Sequence, residues 1–141
     1  MKTEDRIITR DRIVTLCGST KFKKEFLQIA EELGENGLIP ISVTSFTHAD
    51  GIDTPEELAA ILDATHALKI MNSEGIFVIN KNGYIGYSTM REIAFAAVLY
   101  KGIMFLEEPS EPIKHMLSVL MCEDWVLYEP SSHFGTKDGR I

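Results

Sequence analysis

Hydrophobic residues along the chain occur in two alternating arrangements: short continuous runs, and positions three or four residues apart. A short apolar run bounded by turn residues is typical of a strand buried on both faces, whereas the wider spacing is typical of a helix with one buried side. The runs predict strands at residues 13–17, 38–43, 75–79, 103–106 and 125–127. The wider spacing predicts helices between them, at residues 22–33, 54–70, 93–100 and 113–121.

The alternation of strand and helix determines the predicted fold. Each connection between successive strands is long enough for a crossover, so the strands can pair in parallel. We expect a three-layer α/β/α fold whose five-stranded parallel sheet has the flavodoxin-like order 2-1-3-4-5. Pro40 predicts an edge position for the second strand, because proline has no N–H to donate. Residues 1–141 are expected to form a single domain, with the polar flanks 1–11 and 129–141 flexible or at a subunit interface.

Composition narrows the class of protein. The 141 residues carry a formal net charge of −7. Nucleic-acid surfaces need clustered lysine and arginine, so we expect no nucleic-acid partner. No apolar run approaches the roughly 20 residues that span a bilayer and no signal peptide is evident, so we expect no membrane partner and a cytoplasmic location. Cys17 and Cys122 have neither metal-binding nor disulfide spacing, which predicts buried reduced thiols and no metal site.

The most informative segment is residues 83–94, which follow the third predicted strand and contain two glycines and two tyrosines. The carboxyl end of such a strand is where open α/β sheets bind ligands. Glu92 is predicted in the first turn of the next helix, where free N–H groups and the helix dipole would keep its carboxylate ionised. An ionised, positioned carboxylate suits displacement at a sugar anomeric carbon, so Glu92 is the leading catalytic candidate. The alternative is a capping box of Thr89 and Glu92; the length of the loop favours a ligand site.

The turn after the first predicted strand is the second candidate. It consists of small and basic residues: Gly18, Ser19, Thr20 and Lys21. The N–H groups of such a turn at the start of a helix point towards anions, and a lysine adds positive charge. The alternative is that Ser19 or Thr20 only caps the helix. Because strands 1 and 3 are neighbours in the predicted order, this turn and Glu92 would share one crevice.

A histidine and an aspartate on the helix before the third strand are the acid–base candidates. Asp63 lies one turn before His66 on the same helix face. An ionised aspartate there would favour the protonated imidazole and keep its pKa near neutrality, as an acid–base group requires. The alternative is an ordinary core or surface histidine. Tyr84 is predicted to stack on a base or to hydrogen-bond a sugar, and the role of Tyr87 stays open.

These residues resemble the nucleoside 2-deoxyribosyltransferase superfamily, which includes the 2'-deoxynucleoside 5'-monophosphate N-glycosidases. The resemblance is carried by Leu-Cys-Gly-Ser at residues 16–19, by the acid–base helix, and above all by Gly-Tyr-Ile-Gly-x-Ser-Thr-x-x-Glu at residues 83–92. It covers roughly residues 13–106. It implies an enzyme that cleaves or exchanges the N-glycosidic bond of a (deoxy)nucleoside or its 5'-monophosphate through a covalent glycosyl intermediate on Glu92. It also implies contacts from Gly18, Ser19, Gly86 and Ser88 to the sugar or phosphate, no cofactor, and a homodimer or larger homo-oligomer.

Two departures from the family pattern leave alternatives open. The residue that assists departure of the base is an aspartate in relatives and falls on His66 here, so either His66 or Asp63 is the acid. Relatives carry aspartate or serine six residues before the nucleophile, where this chain has Gly86, with Ser88 two residues later. Nucleoside or nucleotide, hydrolysis or transfer, and the identity of the base therefore stay open. The alternative functions are a non-catalytic nucleotide-binding sensor or partner module, and a phosphoribohydrolase of the cytokinin-activating type.

Overall fold

Strands and helices alternate through the computed structural model, which describes residues 10–44, 46 and 55–129. The strands are β1 (Ile13–Gly18), β2 (Ile39–Ile41), β3 (Gly75–Ile79), β4 (Gly102–Phe105) and β5 (Val126–Leu127). The helices are α1 (Lys23–Glu35), α2 (Glu56–Met71), α3 (Tyr87–Val98) and α4 (Glu111–Val119). None of these helices is long and apolar enough to cross a membrane. Most of both polar flanks lies outside the described residues.

The five strands form one parallel sheet in the order β2-β1-β3-β4-β5, which confirms the predicted fold. The edge position of β2 is confirmed as well; Pro40 pairs there with Val14 of β1. At the carboxyl edge, Gly18 of β1 lies opposite Ile79 of β3. The two segments singled out in the sequence, one after each of these strands, therefore leave the sheet side by side.

Apolar side chains fill the space on both faces of the sheet. On one face α1 contributes Phe26, Ile29 and Leu33, which pack with Leu16 and Phe77. On the other face, α2, α3 and α4 contribute the following buried residues: Ile70, Ile93, Ala96, Ala97, Ile113 and Leu117. Burying a large aliphatic or aromatic side chain contributes about 1.5–3 kcal/mol, so these two clusters are the main source of stability. They hold β1, α2 and α3 in fixed positions at the carboxyl edge of the sheet.

Helix α3 begins at Tyr87, six residues before the predicted start at residue 93. Gly86 is its N-cap, with extended backbone angles (φ −78°, ψ 175°) that place Tyr87 and Ser88 directly in the first turn. Glu92 is consequently the sixth residue of the helix, so its prediction for the first turn was wrong. The alternative of a capping box was wrong too, because Thr89 is a buried residue inside the helix.

A buried asparagine fixes the connection between β3 and α3. The side chain of Asn80 is fully buried, donates to the carbonyl oxygen of Glu107 at 2.9 Å, and accepts from the Glu107 N–H at 2.9 Å. The Glu107 carboxylate in turn accepts from the N–H of Asn82, which has a positive φ of 57°. A short 3-10 turn, Lys81–Gly83, is thereby held against the end of β4, and it sets where α3 can begin.

Candidate functional site

A cavity of about 380 Å³ opens at the carboxyl ends of β1 and β3. Its volume lies within the usual range of small-molecule sites. Most of the residues predicted for the site line it: Gly18, Ser19, Thr20, Asp63, His66, Tyr84, Gly86, Ser88 and Glu92. Residues that were not predicted as site residues complete the walls, among them Val43, Thr44, Leu62, Lys69 and Thr89.

The turn after β1 forms one wall of the cavity. Ser19 lies before a 3-10 turn, Thr20–Phe22, and its hydroxyl accepts from the Lys21 N–H at 3.4 Å. The cap that the sequence offered as an alternative is therefore present, and the same serine also faces the cavity. Helix α1 follows directly, so N–H groups at the start of two consecutive helical segments lie close to this wall.

Lys21 is the one predicted site residue that does not line the cavity. Its ammonium nitrogen lies 3.5 Å from the centre of the Tyr84 ring and 5.3 Å from that of Phe22. The two rings contact each other edge to face at 6.0 Å. A cation over an aromatic face at an exposed site gains about 0.5–1 kcal/mol, so Lys21 is held on Tyr84 rather than directed at the cavity.

At the bottom of the cavity the imidazole of His66 faces the carboxyl group of Glu92. The His66 Nε2 atom lies 3.6 Å from Glu92 Oε2, and the two side chains are only 8% and 20% exposed. Helix α2 supplies the histidine and α3 the glutamate, so the packing of both helices on the sheet sets the distance. Asp63 lines the same cavity and acts on His66 through its charge. The structure thus places His66 beside Glu92, a pairing that the sequence did not indicate.

Burial shifts the pKa values of both groups towards their neutral forms. It raises the pKa of Glu92 to about 8, with the negative charge of Asp63 acting in the same direction and Arg91 opposing it. It lowers the pKa of His66 to about 4; Lys69 adds to this, while Asp63 and a hydrogen bond with the Leu16 backbone oppose it. Both sequence expectations, an ionised Glu92 and a near-neutral His66 pKa, were wrong. Glu92 lies beyond the first turn of α3, where the helix dipole has little effect, and is buried. For His66, burial and the charge of Lys69 outweigh the charge of Asp63. At neutral pH the pair holds a single proton.

Lys69 joins α2 to the end of β2 beside the cavity. Its ammonium group donates to the carbonyl oxygen of Ser42 at 2.9 Å and to the Thr44 hydroxyl at 3.2 Å. The Lys69 carbonyl oxygen accepts from the hydroxyl of Thr15 on β1 at 3.2 Å. Spacing places this lysine one turn after His66 on the same helix face, but its bonds to Ser42 and Thr44 depend on how α2 packs beside β2.

The thiol of Cys17 lies below the cavity, next to His66 and Glu92. Cys17 is fully buried, and its Sγ atom lies 3.5 Å from His66 Nε2, the same nitrogen that faces Glu92. Burial, followed by the charge of Glu92, raises the pKa of this thiol well above its usual value. Cys17, His66 and Glu92 each offer one atom able to ligate a metal, and these atoms lie within 4.8 Å of one another. Sequence spacing could not indicate this group, because its members come from three separate elements.

A second, mainly apolar groove of about 550 Å³ lies on the other side of Glu92. Helices α2 and α3 form its walls with Ala67, Ile70, Phe95 and Val98, and Leu120 contributes from the end of α4. Asp63, Ser88 and Glu92 border both the cavity and the groove. Glu92 can therefore be approached from the cavity and from the groove.

The arrangement provides a carboxyl group and an imidazole that share one proton at the bottom of a small-molecule cavity. Such a pair can deliver a nucleophilic carboxylate and a general acid in one step, by moving the proton from oxygen to nitrogen. Comparison of the sequence with protein-family models and with curated proteins gives no match. The chemistry of the site is therefore the basis for assigning a function.

Proposed function

We propose that this chain is an enzyme that cleaves or exchanges the N-glycosidic bond of a (deoxy)nucleoside or its 5'-monophosphate. The observation that carries the proposal is the 3.6 Å approach of His66 Nε2 to Glu92 Oε2 at the bottom of the cavity. Displacement at an anomeric carbon needs a nucleophile and an acid for the departing base. The resemblance of residues 83–92 to the nucleoside 2-deoxyribosyltransferases supports the same chemistry.

In the first half of the reaction the proton of the Glu92 carboxyl group moves to His66 Nε2. The Glu92 carboxylate attacks the anomeric carbon, a C–O bond forms, and the C–N bond to the base breaks with its electron pair remaining on the base. The His66 imidazolium then protonates the base nitrogen and becomes neutral again. The products are a free base and a glycosyl ester on Glu92.

In the second half, water or an acceptor base attacks the same carbon. The ester C–O bond breaks, Glu92 leaves as a carboxylate, and neutral His66 takes the proton that the attacking group loses. That proton then returns to Glu92, so the pair ends with the one proton it held at the start. Water as the acceptor gives hydrolysis, and a base gives transfer.

The walls of the cavity supply groups suited to the rest of a nucleoside or nucleotide. Ser19 and Ser88 carry hydroxyls at two helix starts, where backbone N–H groups favour the oxygens of a sugar or phosphate. The Tyr84 ring offers an aromatic surface for a base. Lys21 could contact a 5'-phosphate only after leaving the face of Tyr84, where it lies in this structure.

The test is incubation with a panel of nucleosides, 2'-deoxynucleosides and their 5'-monophosphates, with and without a free acceptor base. Chromatography detects the released base or the exchanged nucleoside. Wild-type chain should turn over at least one member of the panel, and Glu92→Gln should reduce its rate on the order of 10⁴-fold or more, as loss of a nucleophile does elsewhere. Glu56→Gln, an exposed glutamate at the start of α2, is the matched control and should retain full activity.

The opposite outcome would be binding without turnover. Tight binding of a nucleotide with no release of base would support the alternative of a non-catalytic sensor. Retention of most of the rate in Glu92→Gln would show that the glutamate is not the nucleophile.

A further inference from the structure

We propose that Cys17, His66 and Glu92 form a site for a divalent cation of the Zn²⁺ class, and that its binding blocks the reaction. The metal-binding part stands on the three side chains alone. The inhibitory part rests on the proposed function, because it requires Glu92 and His66 to be the reacting groups.

Two of the three distances among the ligand atoms are close to those around a tetrahedral zinc ion. Zn–S bonds of about 2.3 Å and Zn–N or Zn–O bonds of about 2.0–2.1 Å give S···N edges of about 3.5 Å and N···O edges of about 3.3 Å. Cys17 Sγ lies 3.5 Å from His66 Nε2, and that nitrogen lies 3.6 Å from Glu92 Oε2. Cys17 Sγ and the Glu92 carboxylate lie within 4.8 Å of each other, so an adjustment of the Glu92 side chain can bring all three ligands onto one ion.

The three ligands are held by rigid elements. Cys17 lies in the interior strand β1, His66 on α2, and Glu92 on α3, and all three elements pack into the apolar core. The hydrogen bond between His66 and the Leu16 backbone orients the imidazole, which is the role that such bonds have in metal sites. A site whose ligands are already in place needs little reorganisation to bind an ion.

The donor set selects the metal. One sulfur, one nitrogen and one oxygen ligand suit Zn²⁺, whereas Mg²⁺ and Ca²⁺ prefer oxygen ligands only. Thiolate and carboxylate together carry two negative charges, which the two positive charges of the ion neutralise inside a buried cluster. Binding releases to solvent the thiol proton and the single proton held by His66 and Glu92. Three protein ligands would leave the fourth position of a tetrahedral ion for a water or a substrate atom.

The binding experiment uses the full chain with Co²⁺ as a spectroscopic probe and Zn²⁺ in competition with a chromophoric indicator. Wild type should bind one ion and show visible bands of tetrahedral cobalt together with a near-ultraviolet thiolate-to-cobalt band. Cys17→Ser should lose the thiolate band and bind Zn²⁺ at least ~100-fold more weakly, since even loss of a group behind a ligand costs 10–100-fold. Cys122→Ser, which alters the other buried cysteine, should bind as wild type does.

A second variant keeps the proposal testable if Cys17→Ser does not fold. Glu92→Gln should keep the thiolate band but weaken Zn²⁺ binding, because an amide is a poorer ligand than a carboxylate. Absence of a thiolate band in wild type, or equal Zn²⁺ affinity of wild type and Cys17→Ser, would overturn the metal site.

Inhibition is measured separately, so that the two proposals can fail independently. Stoichiometric Zn²⁺ should abolish base release by wild type, and excess chelator should restore it. A thiolate–cobalt band in a chain that never releases base would leave the metal site standing and remove the proposed function. Full activity with Zn²⁺ bound would overturn the inhibitory part alone.

Discussion

Gly18 and Ile79 lie so close that a side chain on the glycine would collide with the Ile79 backbone. A Cβ atom on Gly18 would lie 2.8 Å from the Ile79 carbonyl oxygen and 3.1 Å from its Cβ, and the obstacle is mainly backbone. This contact is made where β1 and β3 end, at the wall of the cavity. The position of the Ser19 turn relative to α3 therefore depends on the absence of a side chain in glycine at position 18.

Gly18→Ala should separate the ends of β1 and β3. Overpacking of this kind costs about 1–3 kcal/mol, so the midpoint of urea unfolding should fall. Gly34→Ala is the control: apart from the backbone of its own helix and its chain neighbours, no atom lies within 4 Å of its added Cβ. Alanine in a helix is about 0.5–1 kcal/mol more favourable than glycine. The two alanine variants should thus move stability in opposite directions, and equal effects would contradict the close contact.

His66→Gln should reveal whether the imidazole is the acid. General-acid catalysis contributes ~10²–10⁴-fold, so release of a purine or pyrimidine should slow by about that factor. A nitrophenyl glycoside of the same sugar, whose leaving group needs no proton, should react slowly at neutral pH, because Glu92 keeps its proton without His66. Its rate should recover above about pH 8, where Glu92 ionises by itself, whereas release of a purine or pyrimidine should not recover. His115→Gln, an exposed histidine on α4, serves as control. Recovery of both substrates above about pH 8 would assign the acid role to Asp63 or to solvent.

The rate should have a bell-shaped dependence on pH, measured with chelator present. Below about 4, the pKa of His66, both groups hold protons and the nucleophile stays neutral. Above about 8, the pKa of Glu92, neither group holds a proton and no acid remains for the base. The rate should therefore be greatest between these limits. An alkaline limb that falls near pH 6.5, the ordinary pKa of histidine, would instead show that His66 titrates as a solvent-exposed residue.

Stability should depend on pH through Glu92 even without any catalysis. Its pKa is raised from an ordinary 4.5 to about 8, so between pH 6.5 and 8 the folded chain retains a proton that the unfolded chain has lost. The free energy of unfolding must then fall as pH rises, by at most about 1.4 kcal/mol per pH unit for one proton. Glu92→Gln should lose this part of the slope. The free energy of unfolding is measured by urea titration at several pH values in that range. An equal slope against pH for wild type and Glu92→Gln would contradict the raised pKa.

Asn80→Asp should loosen the connection into α3. An aspartate can accept from the Glu107 N–H but cannot donate to its carbonyl oxygen, and it brings a charge into a fully buried position. Leaving a buried polar group without its partner costs about 1–3 kcal/mol, and a charged group more. Asn72→Asp makes the same chemical change at an exposed helix end and should cost less. Equal losses of thermal stability in Asn80→Asp and Asn72→Asp would show that the buried hydrogen bonds of Asn80 have no special role.

Strand order and the location of the cavity were accessible from sequence, because both depend on local patterns. Buried runs such as Gly75–Ile79 identify strands of a parallel sheet, and segments that follow neighbouring strands meet at one edge. The start of α3 could not be predicted from the sequence. The glycines and tyrosines before Glu92 indicate a long loop, but Asn80 and Glu107 shorten it through bonds between positions 27 residues apart.

The protonation states of Glu92 and His66 could not be predicted from the sequence either, because they depend on burial. Asp63 and His66 are one turn apart and their pairing follows from helix geometry, whereas the approach of Glu92 requires the packing of two helices. The location of Cys17 on the sheet face that α2 and α3 cover could have been predicted by combining strand alternation with the predicted strand order. Its neighbour Leu16 points towards α1, so Cys17 points to the opposite face, where α2 and α3 lie.

The short edge strand β2 has a consequence for how copies of the chain can associate. It offers only three residues, Ile39–Ile41, and the central one is a proline that has no hydrogen to donate. A strand from another molecule added at this edge would gain few backbone hydrogen bonds, which is how natural sheets avoid growing into fibrils. Any assembly that forms on this side of the molecule must therefore be built from side-chain contacts and not by extending the sheet.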